Sequence, residues 1–186
     1  MNYGRLSSQK ESALKTFHKD LSLCRGWLDY LALWGAVGGG LGYLPRAPGT
    51  WGSLPGLLAG ALIFHGGSLW EGSTKIVYYG AVTLVLVLWA YWSLARVERM
   101  LGAHDEGRFV ADEVVGQTLA CFFVEPRWSI LVAAFFCFRI FDILKPGPIG
   151  FFDREVPGPW GTLLDDVLAG VVSGVIIFLG VWIGLL

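Results

Sequence analysis

Residues 76–95 read IVYYGAVTLVLVLWAYWSLA, twenty consecutive positions without an Asp, Glu, Lys, Arg or His. A helix of that length extends about 30 Å, the thickness of a bilayer hydrocarbon core. A second run of twenty, VLAGVVSGVIIFLGVWIGLL at residues 167–186, has the same character and ends the chain. It places Gly170 four residues before Gly174 and Gly180 four before Gly184, a spacing that lets helices approach closely. Around these runs, the 186 residues are 54% hydrophobic and 16% charged, with a mean hydropathy of +0.57. A soluble domain is about 45–50% apolar and about 25% charged. The balance excludes a disordered chain. A net charge of −1 with no basic stretch excludes a nucleic-acid-binding domain. The expectation is an all-α integral membrane bundle.

Shorter apolar runs complete it. Residues 54–65 reach span length only with their neighbours, and the Gly-rich residues 31–44 are weaker still. Residues 114–124 and 128–138 are each too short to cross alone, and Glu125-Pro126-Arg127 separates them. They read as a short helical hairpin that dips into the membrane or packs inside the bundle. Trp27, Trp34, Trp70, Trp92, Trp128 and Trp182 lie near segment ends, where interfacial tryptophans collect. Cys24, Cys121 and Cys137 are odd in number and contain no CxxC, so no disulfide framework is expected. Residues 1–26 form a polar segment without a signal-peptide pattern. Leu14, Phe17 and Leu21 recur there at helical spacing, which fits either an amphipathic surface helix or a solvated tail. Residues 27–186 are read as one membrane-embedded domain.

The charges are sparse and clustered. Residues 1–26, 96–113 and 139–166 hold 11 of the 14 Lys and Arg and 12 of the 15 acids. Basic loops stay on the cytoplasmic side, so all three stretches are assigned there, with 53–66, 76–95, a 114–138 hairpin and 167–186 between and after them. Acids contribute little to topology, and Asp112, Glu113, Asp142, Asp165 and Asp166 lie next to apolar segments, where a carboxylate needs a partner or a metal. Helix capping explains some of them: Thr162 and Asp165 have capping-box spacing. The alternative for the five together is a hard-cation site for Mg²⁺, which takes carboxylate, water and phosphate oxygens. No His or Cys cluster suits zinc. His104 is the one histidine in an acidic loop, either solvated or functional. Arg139, Asp142 and Lys145 fall along one side of a helix that Pro146 ends, either as an ion-pair ladder or as a metal ligand beside two phosphate-binding cations.

The Gly-rich residues 35–53 do not form a P-loop. Pro48-Gly49-Thr50 reads as a turn opening a helix near Ser53, with Thr50 or Ser53 as its cap. Such a turn is either a plain helix connection or an anion-binding backbone.

Four blocks together resemble the phosphatidylglycerophosphatase A family over roughly residues 30–175. They are Pro48-Gly49-Thr50-Trp51-Gly52-Ser53; His104-Asp105 with Asp112-Glu113-Val-Val-Gly116; Phe138-Arg139-Ile-Phe-Asp142-Ile-Leu-Lys145-Pro146-Gly-Pro148-Ile149; and Asp153-Arg154 with Gly161 and Asp165-Asp166-Val-Leu-Ala-Gly170. Gly147 stands where an aromatic is common, and Pro157-Gly158-Pro159 replaces a His-Gly-Gly-like turn; no carboxylate is lost. The resemblance implies a multi-pass Mg²⁺-dependent phosphatase of a bacterial cytoplasmic membrane, with its active site at the cytoplasmic interface. Its implied reaction converts phosphatidylglycerophosphate to phosphatidylglycerol and phosphate. On that reading Asp112, Glu113, Asp142, Asp165 and Asp166 hold the metal. Arg139, Lys145, Arg154, Thr50 and Ser53 contact substrate, while Asp105, His104, Asp153 and Lys145 serve the chemistry. The rivals are a non-catalytic membrane subunit and a small-solute transporter. Against transport, neither twenty-residue run contains an Asp, Glu, Lys, Arg or His.

Overall fold

The computed structural model describes residues 3–103 and 106–186, and every regular element within them is helical. The chain runs through α1 (Tyr3–Leu23), α2 (Trp27–Ala36), a 3-10 turn (Gly38–Tyr43), α3 (Pro48–Gly67) and α4 (Gly72–Leu101). It continues through α5 (Ala111–Ala120), α6 (Trp128–Leu144), α7 (Pro148–Glu155) and α8 (Pro159–Trp182). The polar N-terminal segment is therefore mostly helix.

Several boundaries differ from the sequence reading. α3 begins at Pro48, where proline's fixed φ suits the first helical position, rather than near Ser53. Ala47 precedes it in the left-handed region (φ 49), and no side chain caps the helix; the Ser53 hydroxyl instead donates to the Gly49 carbonyl (2.9 Å). α8 begins at Pro159 behind Gly158, so Thr162 and Asp165 form no capping box. Asp165 and Asp166 lie in the second turn of that helix, not in a loop ahead of it. The hairpin over 114–138 is two unequal helices. α5 is short and buried along most of its length, while α6 runs on to Leu144 and carries Arg139 and Asp142.

α4 and α8 are long and apolar enough to cross a membrane. With 30 and 24 residues, they extend about 45 and 36 Å. Their outer faces are greasy: α4 exposes Ile76, Val77, Leu84, Val85 and Leu88, and α8 exposes Val171, Val175, Ile176, Phe178 and Leu179. α3 adds Leu54, Leu58 and Leu62 at four-residue spacing. Continuous apolar surface of this extent is suited to lipid, not water. Trp27, Trp128 and Trp182 are exposed at helix ends.

α5 lies between α3 and α8, and small residues make both contacts. A Cβ at Gly52 would fall 2.5 Å from Val110 Cβ, and one at Gly56 would fall 2.6 Å from the Val114 carbonyl oxygen. On the other side, a Cβ at Gly170 would sit 2.1 Å from the Gly116 carbonyl oxygen, and one at Gly116 would sit 2.5 Å from that of Asp166. α5 and α8 therefore touch backbone to backbone. The stacked rings of Tyr91 and Trp160, 4.3 Å apart at their centroids, tie α4 to the start of α8.

α1 is joined to this frame by a buried polar contact. Asp20 accepts a hydrogen bond from the Tyr43 hydroxyl (2.6 Å) and pairs with Arg108 (Nε–Oδ2 3.0 Å). Arg108 also pairs with Glu106, and its carbonyl lies against Gly42. Two residues on, the Val110 N–H donates to the Ala36 carbonyl (2.7 Å), which fixes the entry into α5.

Three outcomes follow for thermal unfolding in detergent micelles. Gly170→Ala forces α5 and α8 apart and lowers stability by about 1–3 kcal/mol. Gly80→Ala, on a helical position with open space around it, leaves stability unchanged or raises it by up to about 1 kcal/mol. Asp20→Asn removes the buried one of the two acids that pair with Arg108, leaving Glu106, and costs about 1–3 kcal/mol.

Candidate active site

The Gly116–Gly170 contact sets the register of the acidic residues. Asp112 lies four residues before Gly116 on α5, and Asp166 lies four residues before Gly170 on α8. Each is one turn away from the contact, so the two carboxylates arrive at the same level. Asp112, Glu113 and Asp166 each offer an oxygen, and these oxygens all lie within 4.8 Å of one another. Asp112 and Asp166 are only 4% and 3% exposed. Asp112 Oδ1 accepts the Glu113 N–H (3.1 Å), and Asp165 Oδ1 accepts the Asp166 N–H (2.9 Å). Glu113 Oε2 is buried without a hydrogen-bond donor. Burial pushes the Asp112 carboxyl up to about 6, although hydrogen bonds from Glu113 and the backbone oppose this. Burial first, then the adjacent Asp112 charge, raises Glu113 well above the usual carboxylate range.

The cations lie beside this cluster, each with its own acid. Arg139 pairs with Asp142 on the last turns of α6 (Nη1–Oδ2 2.5 Å), and its Nε is buried without an acceptor. Lys145 closes α6 in a left-handed conformation (φ 44) and bridges Asp153 of α7 and Asp165 of α8, the latter at 2.6 Å. Burial works against its charge, but the bonds to Asp153 and Asp165 outweigh that and hold its ammonium protonated. Gly49, in the first turn of α3, is seated against both groups. A Cβ there would fall 2.3 Å from Glu113 Oε1 and 3.0 Å from Arg139 Nη1.

The five acids singled out in the sequence thus divide. Asp112, Glu113 and Asp166 converge, whereas Asp142 and Asp165 are held by Arg139 and Lys145. Among the described residues, the convergent trio is the group with metal-ligand spacing. Its donor set is oxygen only and includes the unsatisfied Glu113 Oε2, which fits a hard divalent cation rather than zinc or copper. Three acids this close and this buried repel one another unless protons or a cation intervene.

The remaining candidates are dispersed. Thr50 is partly buried in the first turn of α3, close along the chain to Gly49, and the Ser53 hydroxyl is spent on the Gly49 carbonyl. Arg154 is exposed on α7, with a terminal nitrogen folded back over Gly150. Asp153 is about one-third exposed through its bond to Lys145. His104 and Asp105 lie outside the described residues. Sequence reading missed Gly49 as a contact of Glu113 and Arg139. It also missed Asp20, although an acid between Phe17 and Leu21 on the apolar side of α1 is a signal of buried pairing.

The blocks that carry these residues recur in known proteins. The profile of the family described as Phosphatidylglycerophosphatase A matches residues 34–181. A phosphatidylglycerophosphatase A of Haemophilus influenzae is 35% identical over 144 residues, covering 77% of this chain and 84% of the relative. One from Escherichia coli is 34% identical over 149 residues, covering 78% and 81%. A Bacteroides thetaiotaomicron protein, provisionally named a phosphatidylinositol-3-phosphatase, is 36% identical over 152 residues, covering 79% and 91%. No solved structure matches the chain. The match encloses α3, α5, α6, α7 and nearly all of α8, and with them every described carboxylate and cation of the cluster; the chain belongs to the phosphatidylglycerophosphatase A family.

Proposed function

We propose that this chain is a Mg²⁺-dependent lipid phosphatase that hydrolyses phosphatidylglycerophosphate to phosphatidylglycerol and phosphate. The observation that carries the reading is the convergence of Asp112, Glu113 and Asp166 beside Arg139 and Lys145 at one end of a bundle with lipid-suited walls. The family supplies the substrate: two relatives are named for it. Magnesium dependence, the multi-pass arrangement and a site facing the cytoplasm are parts of the proposal. The last is supported by the 11 of 14 Lys and Arg in residues 1–26, 96–113 and 139–166.

In this mechanism Asp112, Glu113 and Asp166 are the ligands of the cation. When bound, Mg²⁺ screens the phosphate charge and lowers the pKa of a coordinated water. Arg139 and Lys145 face the phosphoryl oxygens, with Asp142 and Asp165 fixing their positions. Arg139 offers the planar fork suited to phosphate. Attack by water on phosphorus breaks the bond to the glycerol oxygen, which takes up a proton as phosphatidylglycerol leaves. Asp153, open to solvent and hydrogen-bonded to Lys145, can exchange that proton with bulk water. His104 and Asp105 are further candidates for the same task. Thr50 and the backbone of α3's first turn border the phosphate, and Arg154 contacts it from the exposed side.

The direct test is phosphate release by the purified chain from phosphatidylglycerophosphate, phosphatidic acid and phosphatidylinositol 3-phosphate, with Mg²⁺ and with EDTA. Release from phosphatidylglycerophosphate that EDTA abolishes and Mg²⁺ restores is expected. Faster release from phosphatidylinositol 3-phosphate would transfer the substrate assignment to the lipid named for the Bacteroides relative. Release unaffected by EDTA would remove the metal from the mechanism.

Two substitutions separate the roles within the cluster. Asp166→Asn lowers kcat by roughly 100-fold or more, equivalent to about 3 kcal/mol in the barrier. Asp142→Asn, which frees Arg139, lowers it by about 10–100-fold without changing the Mg²⁺ concentration needed for half-activity. An equal shift in Mg²⁺ requirement for both would place Asp142 among the ligands.

A further inference from the structure

A second charged site lies away from the carboxylate cluster. An open cleft of about 420 Å³ is lined by Leu23, Arg25, Asp29, Arg96, Arg99 and Met100. It sits between the α1–α2 junction and the last turns of α4. Its lining has three guanidinium groups and one carboxylate. Asp29 holds Arg96 with one oxygen (Nε–Oδ1 2.8 Å, Nη2–Oδ1 2.7 Å) and accepts the Arg25 backbone N–H with the other (2.8 Å). Arg99 is anchored through Nε to the Ala95 carbonyl (2.9 Å). Leu23 and Met100 supply an apolar wall. Trp27, two residues from Arg25, and Tyr30, next to Asp29 in the chain, are exposed on α2.

We infer that this cleft binds the phosphate of an anionic membrane lipid, independently of the active site. α4 is long and apolar enough to cross the bilayer, so the end carrying Arg96 and Arg99 lies at headgroup depth. Basic pockets at the ends of membrane helices select anionic headgroups, and guanidinium groups match phosphate oxygens with paired donors. The exposed aromatics of α2 that neighbour Arg25 and Asp29 along the chain suit the same depth. The helix dipole accounts for a basic residue at the end of α4, but not for Arg25 arriving from the α1–α2 junction, nor for the concavity. The charge sign is opposite to that of the Asp112, Glu113 and Asp166 cluster, which repels a phosphate without a cation. The inference rests on α4 crossing the membrane and not on the phosphatase chemistry.

The test uses the full chain in neutral detergent with EDTA. Binding of short-chain phosphatidylglycerol, phosphatidylcholine with the same acyl chains, and inorganic phosphate is measured for wild type, the Arg25→Ala/Arg99→Ala double variant and Lys145→Ala. Wild type should prefer phosphatidylglycerol over phosphatidylcholine by about 10-fold or more, with inorganic phosphate a poor competitor. The double variant should lose that preference while keeping its helical content and its phosphate release in Mg²⁺. Lys145→Ala should retain the preference, which separates the cleft from the active site. Equal binding of the two lipids by wild type, or an undiminished preference in the double variant, overturns the inference. Loss of the preference in Lys145→Ala assigns the binding to the active site and overturns it as well. Competition by inorganic phosphate as strong as that by the lipid overturns the lipid assignment in favour of a free-anion site.

Discussion

The carbonyl oxygen of Gly116 lies 2.1 Å from where a side chain at Gly170 would begin, so α5 and α8 meet through their backbones. The placement of the site depends on that contact. One turn away along each helix stand Asp112 and Asp166, brought level because the glycines below them leave no room for slippage. With a larger residue at either glycine the helix axes separate, and carboxylates that now lie within 4.8 Å of one another move apart. The glycines of α3 hold the opposite side of α5 and bring Gly49 against Glu113 and Arg139. In lipid no hydrophobic force draws helices together, so close packing of small residues supplies the association.

Such proximity is unfavourable on its own. Asp112 and Asp166 are buried and Glu113 is partly buried against them, and burial together with mutual repulsion raises Asp112 and Glu113 toward protonation. The neighbouring acids are treated differently: Arg139 pairs with Asp142, and Lys145 bridges Asp165 and Asp153. The result is a small region with uncompensated negative charge bordered by two oriented cations. That combination suits a divalent cation and a phosphate arriving together better than either alone. The greasy outer faces of α3, α4 and α8 supply the rest of what a lipid phosphomonoester requires, access for its acyl chains.

The apolar helices were legible from residues 76–95 and 167–186 because uninterrupted hydrophobicity has one inexpensive home. The start of α8 was not. Asp165 and Asp166 read as loop because two adjacent acids are rare inside a buried helix, and the tolerance of Asp165 here depends on Lys145, twenty residues earlier. Ser53 and Thr50 read as caps because of their residue types. Pro48 had already opened the helix, and the Ser53 hydroxyl bonds back to Gly49. The acids were legible as a set from their position against apolar segments. Their division into three convergent and two ion-paired members was not, since it depends on where α6 ends and on the left-handed turn at Lys145. Gly52 reads as part of the Gly-rich stretch 35–53 and Gly56 as part of the apolar run 54–65, whereas the two form one helical face against α5.

The central claim is that the glycine-spaced carboxylates of α5 and α8 hold a divalent cation. Electron paramagnetic resonance of Mn²⁺ titrated into the purified chain, wild type against Asp166→Asn and Glu113→Gln, tests it most directly because it needs no substrate. The account predicts saturable binding by wild type that Mg²⁺ displaces and that weakens at least about tenfold in each variant. Binding of equal strength in all three proteins would contradict it.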